Sequence, residues 1–75
     1  MPPVPTLPGV QVVKALERAG FDLVRVTGSH HRMSHPDGRH VTVPVHRGRD
    51  MPRGTLRAII RDAGMTVEQF LSLVE

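Results

Sequence analysis

Eight residues in the middle of the chain limit the fold more than any others. From Arg39 to His46 the sequence reads Arg-His-Val-Thr-Val-Pro-Val-His. On an extended strand Val41, Val43 and Val45 share one face, while His40, Thr42, Pro44 and His46 share the other. Such a strand is half-buried, with one face on a core and one in water. It needs partner strands at its edges and helices against its valines only.

The sequence supplies both. Phe21 to Thr27 is β-branched and alternating, and Gly28-Ser29 ends it as a tight turn. A short strand from His30 to His35 follows, joined to the valine strand by the hairpin signal Pro36-Asp37-Gly38. Helical spacing brackets these strands. Val10, Val13 and Leu16, widened by Val12 and Ala19, predict a helix from Pro8 or Gly9 to Gly20. Leu56, Ile59, Ile60 and Ala63 form one face of a second helix that Gly64 ends. Thr66 and Gln69 form a capping box that opens a third, with Val67, Phe70, Leu71 and Val74. The order α-β-β-β-α-α predicts an α+β fold, a three-stranded antiparallel sheet with helices packed on one face.

The 75 residues allow one domain. Residues 1–8 hold four of the seven prolines and are expected to form a flexible arm, leaving 9–75 as the domain. A chain this short buries only about 60% of its unfolded surface, and without cysteine it has no disulfide or thiolate zinc site to staple it. A protein partner that adds buried area would help it. Its apolar stretches fall short of a membrane span, and the N-terminus lacks the marks of a signal peptide, so a soluble cytoplasmic protein is expected.

Charge points to a partner. Between Arg25 and Arg61 lie eight arginines and only two acids, Asp37 and Asp50. Guanidinium groups grip phosphate with a planar fork, so a polyanion is the natural ligand. Phe21 and Phe70 are the only aromatic residues, which disfavours recognition of bases by stacking and leaves phosphate contact.

Alternation then places the charges. If Met33 faces the core, His31 and His35 do too, while His30 and Arg32 face solvent. Taking Val24 and Val26 as core puts Arg25 and Thr27 on the solvent side as well. The open sheet face is thus expected to gather Arg25, His30, Arg32, His40 and His46, with Arg47 and Arg49 in the loop that follows. A slip of one residue would exchange the faces.

Two chemistries compete for the histidines. A metal cluster is disfavoured, because neighbours on a strand diverge, no cysteine or carboxylate pair completes the set, and the arginines would repel a cation. Acid–base work on RNA fits better. An imidazole titrates near neutrality, the 2′-hydroxyl is a built-in nucleophile, and arginines can hold the developing negative charge. Backbone N–H groups at Gly28 and Ser29 could face a phosphate oxygen. No glycine-rich phosphate loop occurs, so no small-molecule cofactor is expected.

Gly28-Ser29-His30-His31, preceded by Ala19-Gly20-Phe21, resembles the HicA (YcfA-like) family of bacterial toxins. Pro36-Asp37-Gly38, the segment Val41 to His46, Arg53 to Gly64 and Glu68-Gln69-Phe70 continue the likeness, from about Gly9 to Phe70. The resemblance implies a double-stranded-RNA-binding-domain-like fold and an mRNA interferase of a type II toxin–antitoxin system. It implies that His30, the histidine after Gly-Ser, is catalytic, and that a HicB-type antitoxin covers it. His46 is a second candidate for catalysis or phosphate contact, as is Ser29, while His31 is expected to be structural. Gly28, Arg25, Arg32, His40, Arg47 and Arg49 are the expected RNA contacts. The proline-rich arm and the scarcity of lysine depart from the family pattern. A non-catalytic RNA-binding module of the same fold and a purely protein-binding module are the alternatives.

Overall fold

The computed structural model describes residues 3–74. In chain order the elements are β1 (Leu7–Pro8), α1 (Gly9–Arg18), β2 (Asp22–Thr27), β3 (His30–Ser34), β4 (His40–Pro44), β5 (Asp50–Met51), α2 (Arg53–Asp62) and α3 (Val67–Leu71). β2, β3 and β4 form an antiparallel sheet in that spatial order. The expected α+β architecture is present, with the short strands β1 and β5 paired antiparallel at the starts of the two long helices.

The valine strand behaves as its alternation requires. Val41 and Val43 are buried together with Met33, while Thr42, His40 and Arg32 are exposed. Helices α1 and α2 lie against the apolar face, and Leu16, Leu56, Ile60 and Phe70 complete the core. At α3 both bonds of the capping box form: the Gln69 backbone N–H donates to Thr66 Oγ1 (3.0 Å) and the Thr66 N–H donates to Gln69 Oε1 (2.9 Å). The turn after β2 is a two-residue hairpin in which Gly28 alone takes a positive φ, 58°.

Two expectations need correction. Val24 and Val26 were expected in the core, yet they are 58% and 52% exposed, and Leu23 is also exposed. β2 is an edge strand whose residues are all exposed although α1 contacts it, and its register shifts between Leu23 and Arg25. The bulge resets the side-chain phase: Leu23 pairs with core-facing Met33, whereas Arg25 pairs with solvent-facing Arg32. Arg25 and Thr27 therefore reach the open face as expected, but because Val24 is looped out and not because it is buried.

The segment expected as an arm is the second difference. Met1 and Pro2 lie outside the described residues, but Val4 is only 2% exposed and its carbonyl accepts a hydrogen bond from Arg53 Nε (3.0 Å). Leu7 and Pro8 pair with Met51 and Asp50. Proline donates no N–H, and an edge ladder this short tolerates that. Apolar burial of Val4, Leu7 and Met51 ties the segment down where composition alone suggested freedom.

Candidate active site

Cross-strand register sorts the open face into three rows. Thr27, His30 and Pro44 form the first, Arg25, Arg32 and Thr42 the second, and Asp22, Ser34 and His40 the third. Residues opposite one another in a ladder share a face with Cα atoms about 4.5–5.5 Å apart. His30 is thus exposed, with an arginine pair in the adjoining row. Its backbone is held by the Gly28-Ser29 hairpin and by the ladder on both sides, so the imidazole rises from a rigid base. His40 lies at the far end of β4, roughly 13 Å along the strand from Pro44 at about 3.3 Å per residue. It does not join His30.

The arginines divide by what they touch. Arg39 binds the Asp37 carboxylate (Nε to Oδ2, 2.8 Å), donates to the Ala63 carbonyl and lies over the Phe21 ring, and Arg53 holds Val4. Arg61 is within 3.5 Å of Asp62. Arg39 and Arg53 are structural, whereas the Arg61 side chain stays exposed beside its neighbour Asp62. Arg25, Arg32, Arg47 and Arg49, in contrast, make no side-chain hydrogen bond or ion pair among the described residues. They are the four arginines singled out as RNA contacts. Guanidinium groups left unpaired on an exposed surface are available to an anion.

The end of β4 adds a concavity. Two adjoining cavities, of about 300 and 500 Å³, share Gly9, His46, Arg49 and Asp50. The first is walled by Pro44, Met51 and Pro52, with Thr55 at its edge; the second takes in Val45, Arg47 and Gly48. Loop 46–50 is shaped by a turn in which the Arg49 N–H donates to the His46 carbonyl (3.1 Å). Pro44 belongs both to the first cavity and to the row of His30.

With this geometry in place, residues 9–65 match a family described as the HicA toxin of bacterial toxin–antitoxin systems. The chain belongs to the HicA toxin family. It is therefore the toxin member of a toxin–antitoxin pair. No match was found among curated proteins. The HicA match covers α1, the whole sheet and α2; β1 and α3 lie outside it.

Within this HicA fold the remaining histidines separate cleanly. His31 is half-buried on the core side and its Nδ1 lies 3.3 Å from the Ser29 carbonyl oxygen. His35 is half-buried too, stacked edge-on against Phe21 at 5.1 Å and accepting from the Asp37 N–H at Nδ1 (3.1 Å). Both are framework residues. His46 is exposed and lies two positions beyond Pro44, inside the cavity wall. Gly28 is exposed at the hairpin, and the Ser29 carbonyl is occupied by the Val45 N–H (2.7 Å).

Among the described residues no three His, Asp or Glu side chains converge to hold a metal ion, and no helix is long and apolar enough to cross a membrane. Asp50, Thr55 and Gly9 line the first cavity at the end of β4, and the sequence reading did not single them out as candidates. Their involvement depends on the β1–β5 ladder, whose two-residue strands carry no periodic signal.

Proposed function

We propose that this HicA toxin is a metal-independent endoribonuclease that cleaves mRNA, with His30 as its acid/base residue, and that a HicB-type antitoxin neutralises it by covering the open sheet face. The observation that carries this reading is the exposed imidazole of His30 beside the unpaired guanidinium groups of Arg25 and Arg32.

The chemistry needs little else. Neutral His30 takes the proton of a 2′-hydroxyl, and the 2′-oxygen attacks the adjacent phosphorus. The bond from phosphorus to the 5′-oxygen breaks, giving a 2′,3′-cyclic phosphate and a 5′-hydroxyl. Arg25 and Arg32 hold the non-bridging oxygens as negative charge builds on the phosphorane. His46, two residues beyond the row of His30, is the candidate that protonates the leaving oxygen. Gly28 and Ser29 in the hairpin, with Arg47 and Arg49 beyond β4, extend the contact along the RNA backbone. His40, at the far end of β4, is a more distant contact on the same face.

His30→Ala tests the proposal. Cleavage of a transcript should fall by about 10²–10⁴-fold, while filter binding of the same RNA persists. Growth arrest on expression should be relieved in parallel. Equal integrity of RNA exposed to either protein, with binding intact in both, would identify a non-catalytic RNA-binding module instead.

A further inference from the structure

Phe21 and Phe70 are the only aromatic residues of the chain and both are buried, at 2% and 0% exposure. No Phe, Tyr or Trp ring is offered on the open face, whose only aromatic rings among the described residues are imidazoles, so that face is better suited to holding phosphates than to discriminating bases. An apolar slot with unpaired polar groups at its edge is one arrangement that can discriminate bases. The smaller cavity at the end of β4 has this composition. Pro44, Met51 and Pro52 give it apolar walls, and His46, Arg49 and Asp50 reach its rim. Neither Arg49 nor Asp50 has a side-chain partner among the described residues.

The position is equally specific. Pro44 is the cross-strand partner of His30 and also a wall of the cavity. A base in the slot therefore belongs to a nucleotide next to the linkage that His30 attacks. The volume of about 300 Å³ takes one base and excludes a duplex.

Polar pairing selects among the bases. An ionised carboxylate only accepts hydrogen bonds and a guanidinium only donates them. Guanine alone places two adjacent donors, N1–H and the N2 amino group, beside the acceptors O6 and N7. Asp50 can take the two donors while Arg49 serves the acceptors. Adenine, cytosine and uracil each leave an acceptor facing the carboxylate.

Building on the ribonuclease reading above, we propose that this cavity is a guanine-selective subsite for the nucleotide flanking the cleaved linkage, with Asp50 as its specificity-determining residue.

The test uses the full chain carrying His30→Ala, so that bound RNA stays uncut. Fluorescence anisotropy would compare single-stranded pentaribonucleotides that differ only in a central guanosine, inosine or adenosine. Guanosine should bind about tenfold tighter than adenosine, with inosine, which lacks the N2 amino group, in between. Adding Asp50→Asn should bring the three affinities together. Equal affinities with Asp50 intact, or a guanosine preference that survives Asp50→Asn, would overturn the proposal, and failure of all three to bind would overturn it together with the RNA reading. Cleavage of the same oligonucleotides by the chain with His30 intact separates the two ideas. Base preference without cleavage keeps the subsite and rejects the nuclease, whereas cleavage without base preference does the reverse.

Discussion

Arg25 and Arg32 stand directly opposite each other across the β2–β3 ladder, and neither meets an acidic side chain. Like charges so placed repel, at a cost of a few tenths of a kcal/mol or more to the sheet. The bulge at Val24 creates the pairing, since an unbroken strand would have turned Arg25 toward the helices. A fold that keeps two guanidinium groups face to face gains from an anion placed between them.

Arg32→Ala should accordingly weaken RNA binding without harming the fold. Binding measured across a salt series should show a slope of log K against log salt that is shallower by about one, the loss of one phosphate contact. The thermal midpoint should hold or rise slightly as the repulsion is relieved. An unchanged slope would remove Arg32 from the interface.

Product chemistry follows from the donors on the open face. Cleavage should continue in EDTA and leave a 2′,3′-cyclic phosphate, visible because the fragment resists 3′-end ligation until the cyclic phosphate is opened and then removed by a phosphatase. Activity lost on chelation, or a 5′-phosphate on the downstream fragment, would rule out histidine-driven transesterification.

Gly9→Ala places two effects in opposition. Alanine is favoured over glycine in a helix by about 1 kcal/mol. However, a Cβ on Gly9 would stand 2.7 Å from the Pro44 carbonyl oxygen and 3.0 Å from Val45 Cα, both backbone atoms with little room to yield. The clash should win, at about 1–3 kcal/mol of destabilisation. The expected result in a thermal melt is a midpoint lower by about 5–15 °C. A midpoint equal to that of the unmutated chain would mean that α1 moves freely on β4.

Asp37 supplies a pH dependence. Hydrogen bonds from the Arg39 side chain and backbone hold its carboxyl below the usual carboxylate range. A depressed folded-state pKa adds stability above the unfolded value and loses it as pH falls through the folded one. The thermal midpoint of the chain should therefore exceed that of Asp37→Asn at neutral pH, and the gap should close on acidification below about pH 4. A gap that is constant from pH 7 to pH 2 would contradict the pairing.

The sequence showed those features that rest on repeating patterns. Val41 and Val43 alternate with His40 and Thr42, and this was enough to separate the core face from the open face. Leu56, Ile59 and Ile60 marked the buried side of α2, and Thr66 with Gln69 marked the start of α3. The signal failed where one residue breaks the pattern or where a strand is too short to have one. Val24 is a bulge that nothing in its neighbours announces, and Val26 is exposed on an edge strand. The cavity beside Pro44 depends on Leu7 meeting Met51, a contact between segments read as an arm and a loop. His30, Arg32 and His40 could be placed on a face from local alternation; Asp50 and Thr55 could not, because long-range pairing brings them to the cavity.

That same meeting of Leu7 with Met51 sets an order of events during synthesis. The two positions are 44 apart (51 − 7), so the ladder cannot close until most of the polypeptide has left the ribosome. A nascent chain stalled upstream of Met51 already contains His30 and its neighbouring arginines, yet it lacks the tie that joins the starts of the two long helices. The concavity next to His30 therefore cannot form until Met51 has emerged. A truncated translation product would present the imidazole without the slot beside it.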